Sequence, residues 1–127
     1  MKNTLMHDIQ RVTDALSSVR MPAQPEEYDI HAQVAEALGA AGLSFAHEYR
    51  LGPRCRIDFR VGRIGIEVKK GRPAPSELTK QLRRYLDSDE LDAVVVVVQR
   101  VTRLPDSIGG KPVRIVSLNR LWGVALP

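Results

Sequence analysis

Asp58 and the pair Glu67 and Lys69 stand on either side of Gly62-Arg63, within two runs that alternate apolar and polar residues. That period of two is the mark of a strand, and glycine at the first position of a two-residue loop suits a type II′ hairpin turn. If Val61 faces Ile64, then Phe59 faces Ile66, Asp58 faces Glu67, Ile57 faces Val68 and Arg56 faces Lys69. One face of the hairpin is then apolar, with Cys55, Ile57, Phe59, Val61, Ile64, Ile66 and Val68, and Cys55 is expected to be a buried core thiol. The other face gathers Arg56, Asp58, Arg60, Glu67 and Lys69. Opposed Cβ atoms lie about 4.5 to 5.5 Å apart, where like charges are destabilising. A divalent cation would offset that repulsion, since Mg2+ takes one or two carboxylates together with water and phosphate oxygens. Lys69 would reach the attacking water or the phosphate from the same side. The competing reading is ionic, with Arg56, Arg60 and Lys69 neutralising Asp58 and Glu67 diagonally as ordinary surface pairs.

These residues need a scaffold, and the rest of the chain supplies one. Leu5, Ile9, Val12, Leu16 and Val19 recur at steps of three and four, which lays an apolar stripe along an N-terminal helix. The stripe either docks on the chain's own core or pairs with a second copy to form a homodimer. Met21-Pro22-Ala23-Gln24-Pro25 reads as a linker, so residues 1–25 form a helix and linker and residues 26–127 the main domain. Ile30, Val34, Leu38 and Ala41 restore helical spacing up to a stop at Gly42. Leu43, Phe45, His47, Tyr49 and Leu51 alternate as a strand that ends at Gly52-Pro53, and the strands 54–61 and 64–69 follow. After a loop, Ser76 and Glu77 start a helix carrying Leu78, Leu82, Tyr85 and Leu86. The unbroken apolar run from Ala93 to Val98 is a strand buried on both faces, and Pro112 to Leu118 is a last strand after a Gly109-Gly110 turn. Helices before and after strands imply an α/β fold in layers around a mixed sheet.

Arg56-Ile57-Asp58-Phe59 followed by Gly65-Ile66-Glu67-Val68-Lys69 resembles the D…ExK signature of the PD-(D/E)XK nuclease superfamily, without the proline that names it. The resemblance spans roughly residues 28–98. Gln81 and Tyr85, four apart and so on one helix face, are similar to the Gln-x-x-x-Tyr element of its RecB-like branch. The resemblance implies a restriction-endonuclease-like αβββαβ core plus the extra N-terminal helix, and a DNA-cleaving activity that uses Mg2+ or Mn2+. Asp58, Glu67 and the Val68 carbonyl would bind the cation, and Lys69 would position or activate water. Gln81 and Tyr85 would complete the catalytic set. RecB-like members place a histidine on the first core helix, which makes His31 the candidate ligand, with Glu27 one turn earlier and Glu48 on the next strand as substitutes; Glu36 reads as solvated.

The charge balance suits a polyanion. The formal charge is +4 and the pI near 9.6, and basic residues crowd the stretch from Arg50 to Arg84. Within it, Arg54, Arg72, Arg83 and Arg84 are candidates for holding DNA phosphates, contacts that position a substrate without reading its sequence. With no appended recognition domain visible in the sequence, cutting selective for ends, flaps or junctions, or weakly sequence-specific, is expected rather than reading of a long specific site. A single cysteine excludes an intramolecular disulfide and a cysteine-based zinc site, and fits a reducing, cytoplasmic setting. The longest apolar run is too short to span a bilayer. Two other readings compete with the nuclease: a noncatalytic nucleic-acid-binding or assembly module, and a subunit that cuts only with a partner.

Overall fold

Ala93–Val98 forms the strand on which the other elements assemble, and all six of its residues are buried. The computed structural model describes residues 2–19 and 26–118; the expected linker at 21–25 lies outside the described residues. In chain order the elements are α1 (Lys2–Leu16), α2 (Glu27–Ala40), β1 (Ala46–Gly52), β2 (Cys55–Val61), β3 (Ile64–Lys69), α3 (Pro75–Leu86), β4 (Ala93–Val98), β5 (Ser107–Ile108) and β6 (Lys111–Ser117). They make an α/β fold with one mixed six-stranded sheet ordered β1-β2-β3-β4-β6-β5. β4 runs parallel to β3 and to β6, and the β1–β2 and β2–β3 pairs are antiparallel. Because helices cover both faces, β4 needs apolar side chains on both. Val95 and Val97 pack beneath α1 and α2, and Val94, Val96 and Val98 pack beneath α3.

The stripe of α1 is consumed inside the chain. Ile9, Val12, Leu16 and Val19 are buried in the same core as Ile30, Val34 and Leu38 of α2, the first of the two arrangements open to it. Each such side chain stabilises the fold by about 1.5 to 3 kcal/mol. α2 stops as expected at Gly42, whose φ of 76° turns the chain so that the Leu43 N–H reaches the Leu38 carbonyl at 3.0 Å. That bond holds Leu43 at the helix end, and β1 begins only at Ala46. α3 starts one residue before the expected Ser76, with Pro75 in the first turn and Ala74 as the capping residue. Proline is preorganised for that position and has no N–H to leave unpaired. The short strand β5 escapes pattern reading, and it pairs with β6 across Gly109 and Gly110, both at positive φ.

The single apolar face expected of the hairpin is not what forms. Phe59, Val61, Ile64, Ile66 and Val68 pack under α1 and α2, whereas Ile57 and the half-buried Cys55 pack under α3. Residues two apart on a regular strand share a face, so β2 reverses between Ile57 and Phe59. Its neighbour reverses at the same level: His47, paired with Phe59, stacks on that ring, and Tyr49, paired with Ile57, belongs to the α3 side. Glu48 between them has a φ of 54°, a left-handed conformation costing a non-glycine residue roughly 1–2 kcal/mol. Asp58 sits at the corresponding point of reversal in β2. On the α3 side, a Cβ at Gly65 would collide with Ile57 and Leu91, both fully buried. Gly65→Ala is therefore expected to destabilise the fold by about 1–3 kcal/mol, read as a lower urea midpoint with an unchanged slope.

Candidate functional site

β2 and β3 pair in the expected register, Val61 with Ile64, Arg60 with Gly65 and Phe59 with Ile66, and the paired positions end there. At the next residue Asp58 turns its side chain into the ladder, and Oδ2 accepts the Val68 N–H at 2.7 Å. The reversal of β2 thus converts a strand position into a carboxylate set between two strands.

Glu67 lies one residue before Val68 on β3, and only 3% of it is exposed. Its Oε2 is 3.3 Å from Lys69 Nζ, and its Oε1 accepts the Tyr85 hydroxyl at 3.0 Å. Gln81 Nε2 donates to the Tyr85 oxygen at 2.9 Å, so both residues of the i, i+4 pair on α3 serve one carboxylate. The same hydroxyl lies 3.2 Å from the Arg56 carbonyl. Burial, and then the negative charge of Asp58, push the Glu67 carboxyl up to about 7. Burial raises Asp58 as well, against the Val68 hydrogen bond that favours its ionised form. Burial and the Glu67 charge push the Tyr85 hydroxyl up, which keeps it a donor.

The ionic reading of this face fails at the arginines. Arg56 lies 3.9 Å from Glu48, and Arg60 sits over the Tyr49 ring and reaches Glu90 at 3.1 Å. Of the three cations proposed to neutralise the pair, Lys69 alone has an ion pair with either carboxylate among the described residues.

α2 brings a third group. His31 Nε2 is 3.6 Å from Asp58 Oδ2 and 3.7 Å from Glu27 Oε1, and it is buried with no hydrogen-bond partner among the described residues. Ligand atoms of Glu27, His31 and Asp58 all lie within 4.8 Å of one another, the spacing of groups that can share one ion. Glu67 and Glu48 stand outside that group, Glu67 against Lys69 and Tyr85 and Glu48 exposed beside Arg56. Glu36 is exposed, as read from the helical spacing. Sequence reasoning missed His47, whose Nε2 is 3.0 Å from His31 Nδ1 and whose ring stacks on Phe59 at 4.5 Å and 15°. The alternation of β1 marked it only as one of five residues on an apolar face.

The candidate phosphate-holding cations fall into two places. Arg84 lines a cleft of about 290 Å3 with Lys69 and Gln81, and Arg83 is exposed beside it in the last turn of α3. Arg54 and Arg72 are exposed on loops at the end of the sheet where β2 begins and β3 finishes. No helix among the described residues is long and apolar enough to cross a membrane. No family model, no curated protein and no solved structure matches the chain.

Proposed function

We propose that the protein is a metal-dependent DNA nuclease of the PD-(D/E)XK kind that hydrolyses phosphodiester bonds at Asp58, Glu67 and Lys69. The observation that carries the reading is the Glu67 carboxylate, buried beside a second carboxylate and held by Lys69 and Tyr85. A carboxylate desolvated next to another costs stability unless a cation or a function compensates. The element order from α2 to β4, a helix, three strands, a helix and a strand, accords with a restriction-endonuclease-like core.

The donor set fits a divalent cation. Carboxylate and carbonyl oxygens suit Mg2+ and Mn2+, and His31 Nε2, unpartnered among the described residues, faces two carboxylates. Asp58 and His31, grouped with Glu27, would hold the ion, and Glu67, which stands outside that group against Lys69 and Tyr85, would join it with the Val68 carbonyl by turning its Oε2 away from Lys69. When bound, the ion would polarise the phosphate and favour ionisation of the attacking water. Lys69, 31% exposed at its side chain, can leave Glu67 to place its ammonium against the water or the phosphate. Tyr85 and Gln81 fix the orientation of Glu67 and act through it. Arg84, with Arg83, Arg54 and Arg72 further out, would hold flanking phosphates and so orient the strand.

The test is cleavage of single-stranded, duplex, flap and four-way-junction DNA at low salt, with Mg2+ or Mn2+ and with excess chelator. Cutting of at least one substrate with the cation and none with chelator is expected, with binding that weakens as salt rises. Tight binding without turnover in any cation would replace the nuclease with a binding module. Turnover appearing only with an added partner protein would make the chain a subunit.

A further inference from the structure

The His47 ring lies against both the candidate ligand His31 and the core ring of Phe59. Its stacking on the fully buried Phe59 fixes the plane of the imidazole, and the left-handed turn at Glu48 is what presents it to α2 while Tyr49 faces α3. Its Nε2 then meets His31 Nδ1 at 3.0 Å, a distance at which one nitrogen donates and the other accepts. A neutral imidazole carries one N–H and one lone pair, so this bond also decides what the far side of His31 offers. If His31 Nδ1 donates, its Nε2 presents a lone pair toward Glu27 and Asp58. If Nδ1 accepts, Nε2 carries a proton and cannot ligate.

We propose that His47 is a positioning residue for cation binding: it accepts the Nδ1–H of His31 and so holds the Nε2 lone pair toward the ion shared with Asp58. The inference rests on the metal site of the proposed nuclease and adds a residue to it. Geometry favours this direction of donation because, among the described residues, the buried Nε2 has no acceptor within hydrogen-bond distance; the carboxylate oxygens of Asp58 and Glu27 stand at 3.6 and 3.7 Å, too far for a good N–H bond but open to an ion between them. Ligating histidines characteristically donate their second N–H in this way, and loss of such a partner typically lowers metal affinity about 10- to 100-fold. A histidine acceptor differs from the usual carboxylate in adding no negative charge to a group that already holds Glu27 and Asp58.

Two substitutions separate hydrogen bonding from packing. His47→Phe keeps an aromatic ring on Phe59 and removes the acceptor, whereas His47→Gln gives up the ring and keeps an acceptor oxygen. His47 is exposed, so both variants should fold, and circular dichroism checks this. Mn2+ affinity, measured without DNA by the resonance signal of free Mn2+, should fall about 10- to 100-fold in His47→Phe and recover most of that loss in His47→Gln. Nitrogen-15 spectra of the wild type in saturating Mg2+ should show His31 protonated at Nδ1. Equal affinity in His47→Phe and wild type, equal loss in both variants, or a His31 proton on Nε2 would each overturn the proposal. A wild type that binds no Mn2+ would remove the metal site itself and this role with it; a wild type that binds and cuts, with His47→Phe unchanged, would remove only the role of His47.

Discussion

Glu67→Gln, Asp58→Asn and Lys69→Ala are each expected to lower Mg2+-dependent DNA cleavage by at least about 10²- to 10⁴-fold, the range for losing a group that acts on the reacting atoms. The three losses have different origins. Glutamine at 67 keeps the hydrogen bond from Tyr85 but loses the charge that pairs with Lys69 and attracts a cation. Asparagine at 58 can still accept the Val68 N–H, so the fork between β2 and β3 persists while a charged ligand disappears. Alanine at 69 removes the ammonium and leaves Glu67 buried without its cation partner. Gln81→Ala should cost less than any of these, because Gln81 touches the Tyr85 oxygen and acts two steps from the carboxylate. Single-turnover rates at saturating enzyme separate these effects from binding, and equal rates for wild type and Glu67→Gln would assign the cleavage to a contaminant.

The second large effect is on stability in chelator. Glu67 titrates at about 7 in the folded chain against an ordinary 4.5, so the folded state holds its proton more tightly than the unfolded state. The associated stability is fully present below about pH 4.5 and is lost as pH rises through about 7. Once ionised, the group costs at most about 3 kcal/mol. Asp58, raised by its own burial, acts in the same direction. The melting temperature in chelator should therefore fall between pH 4.5 and 7, by several degrees for a domain of this size. Glu67→Gln should flatten that decline and melt higher than wild type at neutral pH. Mn2+ should restore the wild type and do little for the variant. A wild-type melting temperature that is level, or rises, over that window would show that Glu67 is not the strained group described here.

Much of the scaffold was legible because its residues obey simple periods. Ala93–Val98 has no polar face and hence no exposed side, and Gly62 has the positive φ that a tight hairpin requires. The Gly62 turn set the register of Glu67's strand with β2 as far as Phe59, and the fold then places that strand beside β4. The reversal at Glu48 and Asp58 was not legible. A period of two assumes that a strand stays regular, and here a non-glycine residue takes a positive φ. At that level Ile57 and Cys55 lie on the α3 side, Asp58 sits in the ladder and His47 meets His31. Gln81 and Tyr85 were singled out by their resemblance to the RecB-like element, but not the reason for the pair, since only the fold reveals that the hydroxyl meets Glu67. β5 has two residues, too few for any pattern.

The most direct test of the central claim is anomalous diffraction from crystals soaked in Mn2+. A peak is expected between Asp58 and Glu67, with His31 Nε2 and the Val68 carbonyl among its ligands, and it should be lost in crystals of Glu67→Gln. Full soaking with no peak at this place, or a peak that leaves Asp58 and Glu67 untouched, would contradict it.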